Sequence, residues 1–194
     1  MKGVDEIIEE AKAFEKGKNA LKVGEQAPNF ELPDALGNQI KLSGLLENGA
    51  VVVTFYRGSW CPYCNLQLRA LQAKLPEIQS LGATLVAISP EVPDASMTKN
   101  EISEMDFTVL SDQDAKVASK YGVAWEVPEF LLDHMRVDRN LDLKQVNNGN
   151  GTALPIPATF IIGTDGAIQW SYVNVDYRTR SEPDEIVEAL KNIS

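Results

Sequence analysis

The apolar run Val51-Val52-Val53-Thr54-Phe55-Tyr56 leads through a short polar stretch into Trp60-Cys61-Pro62-Tyr63-Cys64. A helical pattern opens on those cysteines, with Cys64, Leu68, Leu71 and Leu75 falling on one face. The local order is therefore buried strand, tight turn, helix. Cys61 and Cys64 are the only two cysteines of the chain. At a helix N-terminus the free backbone N–H groups and the positive end of the dipole favour an anion. A thiolate is such an anion, so a thiol placed there ionises below its usual value of about 8.5. With a second thiol one turn away, each sulfur can capture the other as a disulfide. The segment reads as a redox site.

Other uses of the pair are weaker. A structural zinc needs four ligands, and two cysteines with the single, distant His134 do not supply them, so no metal is expected. A purely structural disulfide closing so small a loop constrains the unfolded chain little. No glycine-rich phosphate loop appears, so neither a nucleotide nor a flavin cofactor is expected. The net charge of −10 argues against nucleic acid or an anionic membrane surface as partner. No apolar stretch approaches the roughly 20 residues of a spanning helix. The acidic, amphipathic start Met1-Lys2-Gly3-Val4-Asp5-Glu6 is unlike a secretory leader. The expected location is the cytoplasm, where a lone C-x-x-C is tolerated.

A chain of 194 residues is most simply one domain. An N-terminal helical extension is expected over 1–20, its stripe formed by Val4, Ile7, Ile8, Ala11 and Phe14 within 4–17. The domain follows over 21–194. Ala27 to Asp34 is extended and turns at Gly37-Asn38 into Gln39-Ile40-Lys41-Leu42, a hairpin. Pro76 falls inside the helix that follows the cysteines, predicting a kink and closure at Gly82. Ala83 to Ser89 is a second buried run, with helices expected near 94–104 and over 112–121 around a strand at 107–110. That alternation predicts parallel strands joined by right-handed crossovers. Residues 125–153 read as an insertion, with a helix over Pro128 to Val137 and a flexible loop at Asn147 to Gly151. Thr159 to Ile162 and Ala167 to Tyr172 pair across Thr164-Asp165-Gly166, and a last helix turns Ile186, Leu190 and Ile193 inward.

Trp60-Cys61-Pro62-Tyr63-Cys64 with Ile156-Pro157-Ala158-Thr159-Phe160 resembles the thioredoxin fold. That resemblance implies an α/β thioredoxin-like fold: a central mixed sheet flanked by helices, with an N-terminal hairpin extension and an insertion before the strand that begins at a cis proline. Pro157 takes that place against the cysteines, and Pro155 and Pro62 stay trans. Ala27-Pro28-Asn29-Phe30-Glu31-Leu32, Phe55 to Cys64, Phe160-Ile161-Ile162-Gly163-Thr164-Asp165-Gly166 and Asp176-Tyr177-Arg178-Thr179-Arg180-Ser181-Glu182-Pro183 are similar to the alkyl hydroperoxide reductase / thiol-specific antioxidant family, the peroxiredoxins. The last segment resembles a subgroup that also carries W-C-P-Y-C. The likeness spans roughly residues 22–193.

The resemblance implies a thiol-dependent peroxidase reducing hydrogen peroxide or alkyl hydroperoxides through a Cys61/Cys64 cycle, with a thioredoxin- or glutaredoxin-type electron donor and a homodimeric assembly. Three departures stand out. The family motif P-x-x-x-[TS]-x-x-C puts Cys64 at the attacking position, Cys61 where the family has Thr or Ser, and Arg57 where it has proline. The family's distant arginine falls at Pro157. Arg57 and Arg180 are the cations that could replace it, although a solvated surface arginine is the plainer reading of each. The alternatives are a thioredoxin-like disulfide oxidoreductase, with Cys61 attacking and Trp60 and Pro157 forming the substrate platform, and a non-catalytic redox sensor. Cys-Pro-Tyr-Cys is also the glutaredoxin tetrapeptide, but glutaredoxins are shorter and lack the N-terminal hairpin. His134 reads as a helix surface residue, Glu101, Glu104 and Asp106 as a solvated face, and Trp125 and Trp170 as core or interface aromatics.

Overall fold

The computed structural model describes Gly3, Asp5, Glu6, Glu9 and residues 17–92 and 105–193. Asp5, Glu6 and Glu9 are helical, while the apolar stripe of the expected N-terminal helix lies outside the described residues. The expected helix near 94–104, with Glu101 and Glu104, also lies outside them.

Strands β1 (Glu31–Pro33) and β2 (Gln39–Lys41) form the antiparallel hairpin read from the sequence, and the short helix α1 (Leu42–Leu46) follows. Next come β3 (Val51–Phe55), α2 (Pro62–Ser80), β4 (Thr84–Ser89) and β5 (Thr108–Ser111). Helix α3 (Lys116–Lys120), β6 (Ala124–Glu126), α4 (Glu129–Asp138), α5 (Leu143–Val146) and β7 (Ala153–Pro155) lead to β8 (Ala158–Ile162), β9 (Ile168–Val173) and α6 (Pro183–Ile193). The central sheet runs β5-β4-β3-β8-β9. Its β3–β4 and β4–β5 pairs are parallel, and its β3–β8 and β8–β9 pairs antiparallel. It is the mixed sheet expected from the alternation of strands and helices.

All five residues of β3 are buried because both faces of the sheet are covered. Val51, Val53 and Phe55 point into one core with Phe30, Leu42, Tyr121 and Phe160. Val52 points into the other, with Cys64, Leu68, Leu71, Ile161 and Ile186, so α2 and α6 close that side. Each fully buried leucine there contributes about 1.5–3 kcal/mol. Helix α2 runs through Pro76 as one helix. It closes as expected at Gly82, whose N–H donates to Gln79 O at 2.9 Å while Ala83 N–H donates to Ile78 O at 3.3 Å.

Three expectations change. The helix expected over 112–121 is split, since Asp114 and Ala115 have φ of 61° and 53°. Asp112 then caps α3 with both carboxylate oxygens, each 2.9 Å from the N–H of Val117 and Ala118. Residues 125–153 are more regular than their weak pattern suggests, because β6 pairs with β7 and Val127, Met135, Leu143 and Leu154 build a small core of their own. The cis proline does not occur: no peptide bond among the described residues is cis. Ile156 N–H donates to Val123 O at 2.6 Å, and Pro157 O accepts from Asn174 N–H at 3.5 Å. Both ends of that bond are held in extended chain between β7 and β8, and the trans form continues it at lower energy, by about 0.5–1 kcal/mol.

Candidate active site

Cys61 caps α2 with extended backbone (φ −95°, ψ 111°) and Pro62 occupies the first turn, where its missing N–H leaves no bond unmade. Cys61 O accepts from the N–H groups of Cys64 at 3.0 Å and Asn65 at 3.1 Å. The preceding loop is clamped by Glu91, which stands just past the end of β4. Its carboxylate accepts from Ser59 N–H at 2.9 Å and Ser59 Oγ at 3.1 Å, and Asn65 Nδ2 donates to Ser59 O at 2.6 Å. Gly58 at φ +151° lets the Trp60 indole fold back, since a Cβ there would stand 2.2 Å from Trp60 Nε1.

Both cysteines are free and buried, Cys61 at 1% and Cys64 at 0% exposure. They differ in what they face. Cys61 lines a cavity of about 580 Å³ together with Arg57, Trp60, Pro62, Tyr63 and Pro157, while Cys64 stands behind that wall. The two thiols titrate as a pair. The first proton leaves below the ordinary thiol range: the Cys64 thiol donates to the Cys61 sulfur, which outweighs burial, and Arg57, the Cys64 N–H and Arg180 add to the same side. The second proton is held well above that range, because the Cys64 thiol is donating to Cys61, is buried, and would meet a second negative charge; Arg180 only partly offsets this. The arrangement thus favours one thiolate beside one thiol.

The surface reading of the two arginines is overturned. Arg57 is 9% exposed, and its Cζ lies 4.9 Å from the Trp60 ring centroid and 4.2 Å from that of Tyr177. Such contacts contribute about 0.5–2 kcal/mol each, more when desolvated. Arg180 is brought back by the turn after β9, and its Nη2 donates to Cys64 Sγ at 3.2 Å. The segment carrying it is pinned by a buried polar chain: Gln67 Nε2 to Ser181 Oγ (3.5 Å), Ser181 Oγ to Thr159 Oγ1 (3.4 Å), and Thr159 to Thr54 (3.1 Å).

Sequence reasoning left out several cavity residues. Trp125, Met135, His134 and Tyr177 all line the cavity. His134 stays on the helix surface as expected, but it borders the cavity and its Nδ1 sits 2.5 Å from Asp138 Oδ2, a partner whose i, i+4 spacing was the available signal. Trp125 serves the cavity as well as the core. Asp106 stays exposed, bonded to Gln72. No cluster of metal-ligating side chains occurs among the described residues. No helix among them is long and apolar enough to cross a membrane.

Comparison with known proteins gives a consistent result. Residues 23–171 match the model of the AhpC/TSA family. Peroxiredoxin Bcp of Escherichia coli (strain K12) is 29% identical over 174 residues, covering 89% of this chain and 97% of that protein. A putative peroxiredoxin of Mycobacterium tuberculosis (strain H37Rv) is 30% identical over 155 residues, covering 80% and 87%. Among solved structures, peroxidoxin BcpB from Mycobacterium tuberculosis superposes with a TM-score of 0.70 at 24% identity, covering 90% of this chain and 99% of that one, a likeness of fold. With the matched family model spanning the cysteine loop, the sheet and the β8–β9 hairpin, the chain belongs to the AhpC/TSA family.

Proposed function

We propose that Cys61 and Cys64 carry the thiol-dependent peroxidase activity of this family member, with Cys61 attacking and Cys64 resolving. The observation that carries the order of roles is access: Cys61 lines the cavity and Cys64 does not. The family motif laid over the chain gives the opposite order, with Cys64 attacking. The Cys61 thiolate attacks the terminal oxygen of a hydroperoxide in line. The S–O bond forms as the O–O bond breaks, and the alkoxide or hydroxide leaves and takes a proton from water. Cys64 then gives up its proton and its sulfur displaces hydroxide from the Cys61 sulfenic acid; the S–S bond forms as the S–O bond breaks, and the released proton joins the hydroxide as water. A thiol reductant restores the pair by supplying two electrons and two protons.

Arg57 and Arg180 take over the work of the family arginine displaced by Pro157. Arg57 supports the anion on Cys61, and Arg180 supports the one that forms on Cys64 during resolution. Trp60, Pro62, Tyr63 and Pro157 form the wall against which substrate rests. A cavity of about 580 Å³ accommodates an organic hydroperoxide as well as hydrogen peroxide. For the reductant, a thioredoxin- or glutaredoxin-type protein fits best: Tyr63 and Leu66, 41% and 66% exposed, offer it apolar contact beside the pair. A homodimer working in the cytoplasm completes the reading.

The same access supports a second reading, disulfide exchange initiated by Cys61. Rapid mixing of the reduced protein with hydrogen peroxide, an alkyl hydroperoxide and oxidised insulin separates the two, repeated with Cys61→Ser and Cys64→Ser. Fast sulfenic acid formation on Cys61 in Cys64→Ser is the expected result. Fast sulfenic acid on Cys64 in Cys61→Ser restores the order given by the family motif. A mixed disulfide on Cys61 with no fast peroxide reaction favours exchange. Slow reaction with every oxidant leaves a redox sensor.

A further inference from the structure

We propose that Tyr177 is a positioning residue of this site, orienting the guanidinium of Arg57 with its ring and that of Arg180 with its main-chain carbonyl. The proposal rests on Cys61 and Cys64 being the reactive pair. Tyr177 lies in the turn after β9, far from the cysteine loop in sequence, yet it touches three separate parts of the site. Its ring is 4.2 Å from Arg57 Cζ. The ring also meets that of Tyr63 edge to face, with centroids 5.8 Å apart. Its carbonyl accepts from Arg180 Nη1, whose other terminal nitrogen reaches Cys64 Sγ at 3.2 Å. One residue thus joins the cation beside Cys61 to the cation on Cys64.

The two contacts are separable by substitution. Any residue at 177 supplies a carbonyl for Arg180, whereas only an aromatic ring holds Arg57 through its π-face. The contacts of the Tyr177 side chain with Arg57 and Tyr63 are made by its ring, so the ring rather than the phenol is the working part. Without the ring, the Arg57 side chain regains its rotamers and its hydration, and its charge no longer has one place beside Cys61. Other titratable or charged groups near the pair are Tyr56, kept protonated by burial, Tyr63, whose ring meets that of Tyr177, Glu91, clamped on Ser59, and His134 and Arg139 on the cavity wall. None of them hydrogen-bonds Tyr177.

The test reads the rate at which the reduced protein is alkylated by iodoacetamide across pH, alongside the peroxide reaction. Tyr177→Leu should move the alkylation midpoint upward and lower the peroxide rate constant roughly five- to tenfold. Tyr177→Phe should stay within about twofold of the natural protein on both. Pentafluorophenylalanine at 177 keeps the shape and reverses the ring quadrupole, so it should behave like Tyr177→Leu even if the leucine variant does not fold. Adding Tyr177→Leu to Arg57→Met should change little beyond Arg57→Met alone, since the ring acts through that guanidinium. An unchanged alkylation profile in both Tyr177→Leu and the fluorinated variant overturns the proposal, as does full additivity with Arg57→Met. Alkylation requires no peroxide chemistry, so a slow peroxide reaction in the natural protein would count against the function above while leaving this test intact.

Discussion

The start of α2 and the segment after β9 both deliver groups to the sulfurs, but they are held in place by different physics. The start of α2 rests on continuous apolar packing: Cys64, Leu68, Leu71 and Leu75 lie on one buried face against Val52, Ile161 and Ile186. The later segment packs the Tyr177 ring against Tyr63 and Arg57 and is otherwise tied down by polar bonds. Asp176 accepts from Arg178 Nε at 2.9 Å, Ser181 is tied into the Thr159 chain, and Arg180 ends on Cys64. Packing is non-directional and large, so it determines whether the site exists. Charged hydrogen bonds are directional and local, so they determine what the sulfurs do once placed. Substitutions in the first region should act on stability, and those in the second on chemistry.

The largest effect should come from Leu71→Ala, which empties a position of 0% exposure in the face of α2. A loss of about 2–5 kcal/mol in urea unfolding is expected. The pH profile of alkylation, measured on the folded fraction, should not move. A shifted profile would mean that packing and sulfur chemistry cannot be separated as described.

Arg180→Met comes next. It removes the guanidinium donor to Cys64 Sγ and keeps much of the apolar stem. Hydrogen bonds to charged groups contribute roughly 1.5–3 kcal/mol, so disulfide closure after a peroxide pulse should slow about 10- to 100-fold. The urea midpoint should move far less than for Leu71→Ala. Equal shifts in both measurements would break the contrast between the two regions.

A third effect concerns protons. Because Cys61 accepts from the Cys64 thiol and is flanked by Arg57 and Arg180, its anion is favoured. Thiolate is the reactive form, so alkylation should persist well below the usual thiol value of about 8.5 and fade only as pH drops through the lowered midpoint. Cys64→Ser keeps a donor, but on a C–O bond shorter than the C–S bond it replaces, so the hydroxyl reaches the Cys61 sulfur less well and the midpoint should rise while staying below that of a free cysteine. A midpoint at the free-cysteine value would remove the electrostatic role of both arginines.

The same contrast explains what was legible beforehand. Strand β3 and helix α2 announce themselves locally, through an unbroken apolar run and a helical repeat that begins on the cysteines, so the place of Cys61 and Cys64 at the start of α2 could be read from the sequence. The positions of Arg57 and Arg180 could not. Each looks like a surface arginine in its own neighbourhood, and Arg57 is covered by Tyr177, a residue 120 positions later that follows the β8–β9 pair. Strands β6 and β7 were missed for a similar reason. They are three residues each, bordered by prolines, and their partners are distant in sequence. The cis proline was carried by likeness to thioredoxin, and here the extended run from β7 to β8 overrode it.

Ser181→Ala should have the smallest effect, and it tests how the polar region is anchored. Ser181 is 2% exposed and sits between Gln67 of α2 and Thr159 of β8. Both bonds are long, at 3.5 and 3.4 Å, which marks them as weak members of the chain. Losing a neutral buried hydroxyl of this kind should lower stability by about 0.5–1.5 kcal/mol. Because Arg180 is the next residue, a slight loosening should also slow disulfide closure, by about two- to threefold and far less than Arg180→Met. If Ser181→Ala slowed closure as much as Arg180→Met while leaving stability unchanged, the serine would be part of the chemistry and not its anchor. If it changed neither, the segment would be held by the contacts of Asp176, Tyr177 and Arg180, and the polar chain to Thr54 would belong to the sheet rather than to the site.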